Sequence, residues 1–346
     1  MAGAVVWALG LLLAGGACGT GGALDDAVEE WRFAIEEPIG SVQHAYALKF
    51  KELIEERSGG DVTVTVYPYG TLGTSDQLTE QLQLGAVQFA MASPGHLGKL
   101  IPEVQVFLLH FVLSDDERVN QQALRDSGLL ELLDTLYATK GMSLLAAFTE
   151  GWQVWTTRQP IREPEDFRGV RMRVMTSPML LAAYRVYGAS PTPLPYGEVY
   201  SALQLRMIDG QVNPVFAIQE MSFHEVTDWM IFAHQAPFIA TTVAARDFFE
   251  GLDAERRQMV RQAIAEVDEF IFDAQRRFNS ERMEIIQRQR PDMQIVHLTE
   301  DQRDHFRQAS LPVRQYYLDT GGPQAQEVLD RLLAAVDRAE EKLLQH

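Results

Sequence analysis

The chain is short of several things, and each shortage removes a class of function. It has one cysteine, Cys18, in 346 residues, so no disulfide framework holds the fold, which must rest on packing alone. It is short of positive charge, with 30 Lys and Arg against 48 Asp and Glu and a formal net charge of −18. Phosphate-backbone binding needs a basic surface, so nucleic acid is excluded as a partner. No G-x-S-x-G, P-loop, G-x-G-x-x-G or H-E-x-x-H occurs, so no nucleophile elbow, nucleotide site or zinc-peptidase motif is legible, and no cofactor, metal site or enzyme activity is expected. In "HEVTD" (224–228), His224 and Asp228 can share a helix face, as two metal ligands would, but a solvated face explains the pair better. Beyond residue 30 no apolar run approaches the ~20 residues a membrane span needs.

The first 23 residues, "MAGAVVWALGLLLAGGACGTGGA", carry no charged side chain. They read as a signal peptide and predict export to the periplasm; a buried N-terminal helix is the alternative. Cys18 then either carries a lipid tether or is removed by cleavage near Gly19 or Ala23.

The body of the chain has α/β grammar. Residues 32–38 read as a strand and turn, 41–60 as a helix, and 61–68 as a strand of period two. Residues 74–85 read as a capped helix, and 87–93 as a short apolar strand. The pattern returns with a strand at 170–175 and a helix at 177–188, with Ser177 as N-cap and Pro178 in the first turn. A further helix comes at 197–207. "LQLGAVQFAMASP" (82–94) and "LQLRMIDGQVNP" (203–214) share an order of helix end, short strand, small or amide residue, and proline. The likeness is either chance or a sign of two lobes of similar plan. Residues 252–290 keep helical spacing throughout, long enough to cross both lobes as a strut. The tail predicts two helices broken at Pro312 and at Gly321-Gly322.

Against this acidic background "FRGVRMRV" (167–174) is an exception. From Arg158 to Arg173 there are five arginines and three acids. In a strand, Arg171 and Arg173 share one face while Val170, Met172 and Val174 share the other. The arginine face meets either a carboxylate ligand, which a guanidinium grips with two parallel hydrogen bonds, or a structural acid such as Glu163, Glu165 or Asp166. Tyr196, after a proline-rich approach, packs in the core or lines a pocket. Asn213 precedes Pro214, which biases it to extended backbone at a strand end, where open α/β sheets gather ligands.

The stretch "EDFRGVRMRV" with "SPMLLAAYRVYGASPTPLPYGEVYSALQLRMIDGQVNP" resembles the solute-binding proteins of TRAP transporters, the DctP-like family. The likeness extends upstream through "GSVQHAYALKFKELIEERSGGDVTVTVYPYGTLGT" and includes "IPEVQVFLLHFVLSD" and "FAHQAPF". It implies a two-lobed, periplasmic-binding-protein-like α/β fold, with hinged domains and a long helix spanning both. One lobe would comprise residues 31–153 and 237–276, the other 154–236 and 277–346. It implies an extracytoplasmic receptor that holds an organic acid between the lobes and passes it to the permease subunits. A sensor-associated binding protein and an exported hydrolase or lyase are the rivals.

By the same resemblance Arg173 is the carboxylate clamp, Asn213 the orienting amide, Tyr196 the cleft aromatic and Ser93 a cleft residue of the first lobe. His234 matches a recurrent histidine near the crossover. Two departures stand out: Gln153, in "GWQVW", replaces a second basic residue, and Val212 replaces an acid. With one cation fewer and with Trp152, Trp155 and Phe216 as candidate apolar surface, a monocarboxylate, such as a 2-oxo or aromatic acid, is favoured over a four-carbon dicarboxylate.

Overall fold

The computed structural model describes residues 28–345; the expected signal peptide, residues 1–23, and Cys18 lie outside them. Two sheets organise the chain. The first runs through β1 (Glu29–Ala34), α1 (Val42–Arg57), β2 (Val62–Tyr67), α2 (Ser75–Gln83), β3 (Phe89–Ala92), α3 (Pro94–Leu97), α4 (Glu117–Leu124), α5 (Ser127–Ala138) and β4 (Met142–Trp152). The chain then crosses to β5 (Val154–Thr157), β6 (Arg171–Val174), α6 (Pro178–Arg185), β7 (Ser190–Pro193), α7 (Val199–Gln204), β8 (Gly210–Asn213), α8 (Val215–Glu220) and β9 (Trp229–Phe232). It returns through β10 (Pro237–Ala245) and α9 (Arg246–Gly251), and closes with α10 (Ala254–Gln289), β11 (Gln294–His297), α11 (Glu300–Thr320) and α12 (Ala325–Leu344).

The strand orders are β2-β1-β3-β10-β4 and β11-β9-β5-β8-β6-β7. β1 lies parallel to β2 and β3, and β6 is parallel to β7 and β8. β10, which re-enters the first sheet from the second, is antiparallel to β3 and β4. Two passages, β4 to β5 and β9 to β10, join the sheets side by side, and α10 makes a third crossing, from β10 of the first sheet to β11 of the second. The expected two-lobed α/β fold is the observed one.

Local chemistry explains the elements. Ser41, Asp253 and Thr299 cap α1, α10 and α11, with side-chain oxygens accepting from His44, Arg256 and Gln302 N–H groups. At 36 residues α10 is ~54 Å long. It packs on α1 and β4 of the first sheet and on α8 of the second, so it spans both lobes as expected. Its buried stripe, Val260, Ala263, Ile264, Val267 and Ile271, joins Trp31, Phe33, Phe50 and Phe89 in one core.

One expectation fails. Pro312 does not break the tail, because α11 runs through it and ends only at Gly321. Pro312 and Gln308, the residue whose carbonyl loses its donor, are both exposed, so solvent is available to that carbonyl and the helix continues. Beyond Gly321, α12 lies against α4 and α5.

Candidate functional site

The carboxyl ends of the parallel strands converge where the sheets face each other, as in other open α/β sheets. β1 runs out into Glu36 and Glu37, β3 into Ser93, β6 into Met175 and β8 ends on Asn213. These residues, with Gln43, Ser75, His96, Arg173, Tyr196 and Phe238, line a single cavity with ≈ 340 Å³ of empty space, open solvent at its mouth included. The sheets touch across it. Tyr69 Oη accepts from Gly197 N at 3.1 Å, and its ring meets Tyr196 edge-on at 5.7 Å. At Gly95 a Cβ would come within 2.3 Å of Met175 Cε, so glycine lets α3 approach the opposite sheet.

The two arginines of β6 divide the alternatives the sequence left open. Arg171 is exposed and makes a two-pronged ion pair with Asp209, from Nε at 2.8 Å and Nη2 at 2.6 Å. Its structural acid is thus Asp209, brought beside it by the β6–β8 pairing, and not Glu163, Glu165 or Asp166. Nor do the two share surroundings: Arg173, one strand repeat further, is only 2% exposed. Arg173 Nε and Nη2 both donate to Leu194 O, at 3.0 and 2.8 Å, which fixes the guanidinium plane. Burial pushes its pKa down to about 10, against the pull of the Tyr196 and Tyr69 phenols. It therefore stays charged at neutral pH, and no carboxylate among the described residues forms an ion pair with it.

Glu36 supplies a carboxyl group to the same cavity. Its Oε2 accepts from Ser93 N at 2.9 Å, its own N–H donates to Gln43 Oε1 at 2.8 Å, and its Oε1 is buried without a partner. Burial raises its pKa, against the pull of His96 and Ser93. Asn213 Nδ2 donates to Gln211 Oε1 at 2.5 Å, and Gln211 is itself held by Thr156. Tyr196 Oη is buried without a partner.

Of the residues singled out from sequence, Arg173, Tyr196, Asn213 and Ser93 come together in this cavity. The others do not line it. Phe216 is fully buried in the core between α8 and α10, with its N–H on Asn279 Oδ1. Trp155 is likewise buried, with Nε1 on Tyr184 Oη at 2.9 Å. Trp152 and His234 stack on one another at 4.8 Å in the two passages between sheets, and Gln153 N donates to Ala236 O there. His234 holds a left-handed backbone, φ 49°, at that crossover. His224 is buried against Gln289 and Ile218 O, not on a solvated face.

Sequence reasoning missed Glu36, Glu37, Gln43, Ser75, His96, Met175 and Phe238. A signal existed for the first two, since "AIEEP" places two carboxylates directly after an apolar strand. A larger hollow along the outer edge of β4, ≈ 1640 Å³ on the same measure, is away from the strand ends. There Arg125 is paired with Asp268 and Glu269, and Arg246 with Glu250.

The sequence pattern of the bacterial extracellular solute-binding protein family 7 (DctP) matches residues 33–320. The chain is 37% identical over 336 residues to the ectoine/5-hydroxyectoine-binding periplasmic protein UehA of Ruegeria pomeroyi, covering 96% of this chain and 98% of that one. It is 36% identical over 307 residues to the ectoine-binding periplasmic protein TeaA of Halomonas elongata, 88% of this chain and 89% of that one. The solved structure of the ectoine-binding protein of the TeaABC TRAP transporter superposes with a TM-score of 0.87 over 90% of this chain and 100% of that chain. An apo open TRAP periplasmic solute-binding protein from Marinobacter aquaeolei VT8 is 44% identical, with a TM-score of 0.84 over 88% and 99% of the two chains.

Proposed function

Because the chain belongs to family 7 of the bacterial extracellular solute-binding proteins, we propose that its solute is a compact zwitterion with one carboxylate, of the ectoine kind, held between the two sheets and released to a TRAP permease. The observation that carries this reading is the pairing of opposite, unanswered charges in one cavity: the Arg173 guanidinium with no acid partner, and the Glu36 carboxyl with one oxygen unpartnered. A carboxylate on Arg173 and a cationic N–H group on Glu36 satisfy both, and each is worth about 1.5–3 kcal/mol as a charge-assisted hydrogen bond. The single-carboxylate preference drawn from sequence is kept and gains a positive group, which a simple 2-oxo or aromatic acid lacks. Two relatives named for binding ectoine, itself a zwitterion, support it.

In this mechanism the solute bridges strand ends of both sheets. Its contacts favour the closed arrangement by their differential free energy, and the permease reads the closed surface. The two sheets are proposed as the hinged lobes and the β4–β5 and β9–β10 passages as the hinge. No bond is made or broken, so the protein is proposed to be a receptor without turnover, exported by its leader to the periplasm and either free or tethered through Cys18. Calorimetry with ectoine, succinate and pyruvate tests the solute class: ectoine is expected to bind at least tenfold more tightly than either acid. Equal or tighter binding of succinate overturns the zwitterion, and recovery of chemically altered ectoine overturns the receptor.

A further inference from the structure

Adjoining the solute cavity lies a second group of acids, Glu37 at its wall and Glu150 and Glu220 outside its lining. Glu37 comes just after β1 and Glu150 lies on β4, both in the first sheet, while Glu220 ends α8 beside the second. Glu37 is 6% exposed and Glu150 fully buried. Gln43 sits between the two, its N–H donating to Glu37 Oε2 at 3.2 Å and its Nε2 to Glu150 Oε1 at 3.0 Å. Glu150 Oε2, Glu220 Oε2 and Tyr196 Oη are buried with no partner. The one cation pairing with these acids, among the described residues, is Arg282 of α10, whose Nη2 reaches Glu220 Oε1 at 3.4 Å. Of the remaining charged or titratable neighbours, Glu36 and His44 belong to the first sheet's side, and Tyr196 and Arg173 to the second's.

Three carboxyls cannot all stay ionised here. Removing a carboxylate from water costs several kcal/mol even after relaxation, and one guanidinium does not offset three. The cheaper solution is a proton, which also supplies the missing donor. Glu150 and Glu220 are not among the cavity-lining residues, so a solute cannot supply it. The cluster draws on both sheets, with Glu37 and Glu150 from the first and Glu220 from α8 beside the second. We propose that closing the lobes takes up protons on the Glu37–Glu150–Glu220 cluster, so that solute capture is proton-linked and weakens as pH rises.

The electrostatics agree in direction. Burial raises all three carboxyls, and the Glu150 charge raises Glu37 further. Burial, with the charge of Glu37, pushes Glu220 up to about 8 against the pull of Arg282. Separated into water, the same groups titrate near ~4.3. Between those limits the closed state holds more protons than the open one. Closure therefore weakens by up to about tenfold per pH unit for each proton, from about pH 5, and the Glu220 share levels off above about pH 8.

The inference rests on the two-lobed receptor, not on the identity of its solute, and the experiment separates the two. Spin labels at L84C and L205C, one exposed site beside each sheet, report lobe separation without solute. The short-distance population is expected to grow as pH falls from 9 to 6, and to lose that dependence in E150Q and in E220Q. In parallel, ectoine is titrated at pH 7.5 in phosphate and in Tris; the binding enthalpies are expected to differ by the uptake of about one proton, less in either variant. A distance distribution independent of pH in the parent protein overturns the inference. So does ectoine binding with equal enthalpy in both buffers. Failure of ectoine to bind at all sinks only the solute reading, and the distance measurement then decides.

Discussion

Ser93 and Asn213 hold equivalent places in the two sheets. Each ends or directly succeeds a parallel strand, β3 or β8, each precedes a proline that opens a short helix, and both line the same cavity. The two-lobe plan hinted at by the repeated wording of residues 82–94 and 203–214 thus has a functional meaning. Matching strand ends from opposite sheets meet at one cavity.

Arg173 is the first test. Its Nε and Nη2 are spent on Leu194 O, leaving the remaining edge of the guanidinium for a carboxylate. A lysine cannot both hold that carbonyl and present two parallel donors. R173A and R173K are each expected to weaken ectoine binding by about 1.5–3 kcal/mol, roughly 10- to 150-fold, by calorimetry. Unchanged affinity in both would dismiss the clamp.

Arg171 is the control. Exposed and paired with Asp209, it contributes as surface ion pairs do, and R171A should leave solute affinity within about twofold by the same titration.

Glu36 should carry the selectivity between zwitterion and plain acid. E36Q keeps shape and an acceptor but removes the charge. It should weaken ectoine by about tenfold or more while leaving pyruvate unchanged or improved. A parallel loss for both solutes would show that Glu36 only positions Ser93.

His110 gives the acid limb of stability. It is buried, bonded through Nδ1 to Tyr187 Oη at 2.7 Å, and burial pushes its pKa down to about 4. In the unfolded chain it titrates near ~6.5, so the unfolded state binds more protons between those values. The contribution is whole above pH 6.5 and is lost as pH falls through 4, at most about 3 kcal/mol. Denaturant melts of H110F should show a shallower fall between pH 6.5 and pH 4 than the parent. An unchanged slope would place the acid sensitivity elsewhere.

Gly210 opens β8 between β5 and β6. A Cβ there would stand 2.8 Å from both Thr156 O and Thr157 Cγ2, and the carbonyl belongs to the neighbouring strand and cannot swing away. G210A is expected to cost about 1–3 kcal/mol, seen as a lower Tm, and to loosen Asn213 at the far end of the same strand.

Much of this was legible along the chain because it is local. Alternation marked β2, helical spacing marked α1, and capping residues marked α2 and α6. Helical spacing from 252 to 290 foretold a strut between lobes. Arg173, Tyr196 and Asn213 could be nominated from a charged strand face, a proline-rich approach and a residue before proline, and the family resemblance pointed to all three and to Ser93. Pro312 misled for the same local reason: the sequence shows a missing donor but not whether the carbonyl left behind faces water.

What tertiary structure alone decided is which charges end up without partners. Arg171 and Arg173 read alike in a strand, and only the β6–β8 pairing, which sets Asp209 beside the first, leaves the second uncommitted. Phe216 reads like a pocket aromatic, yet the long helix covers it. Glu36, Glu37, Glu150 and Glu220 are ordinary acids in an acidic chain until two sheets close over them and take the water away. Secondary structure is set by neighbours in sequence, whereas the cost of a charge depends on everything packed around it, which no stretch of sequence contains.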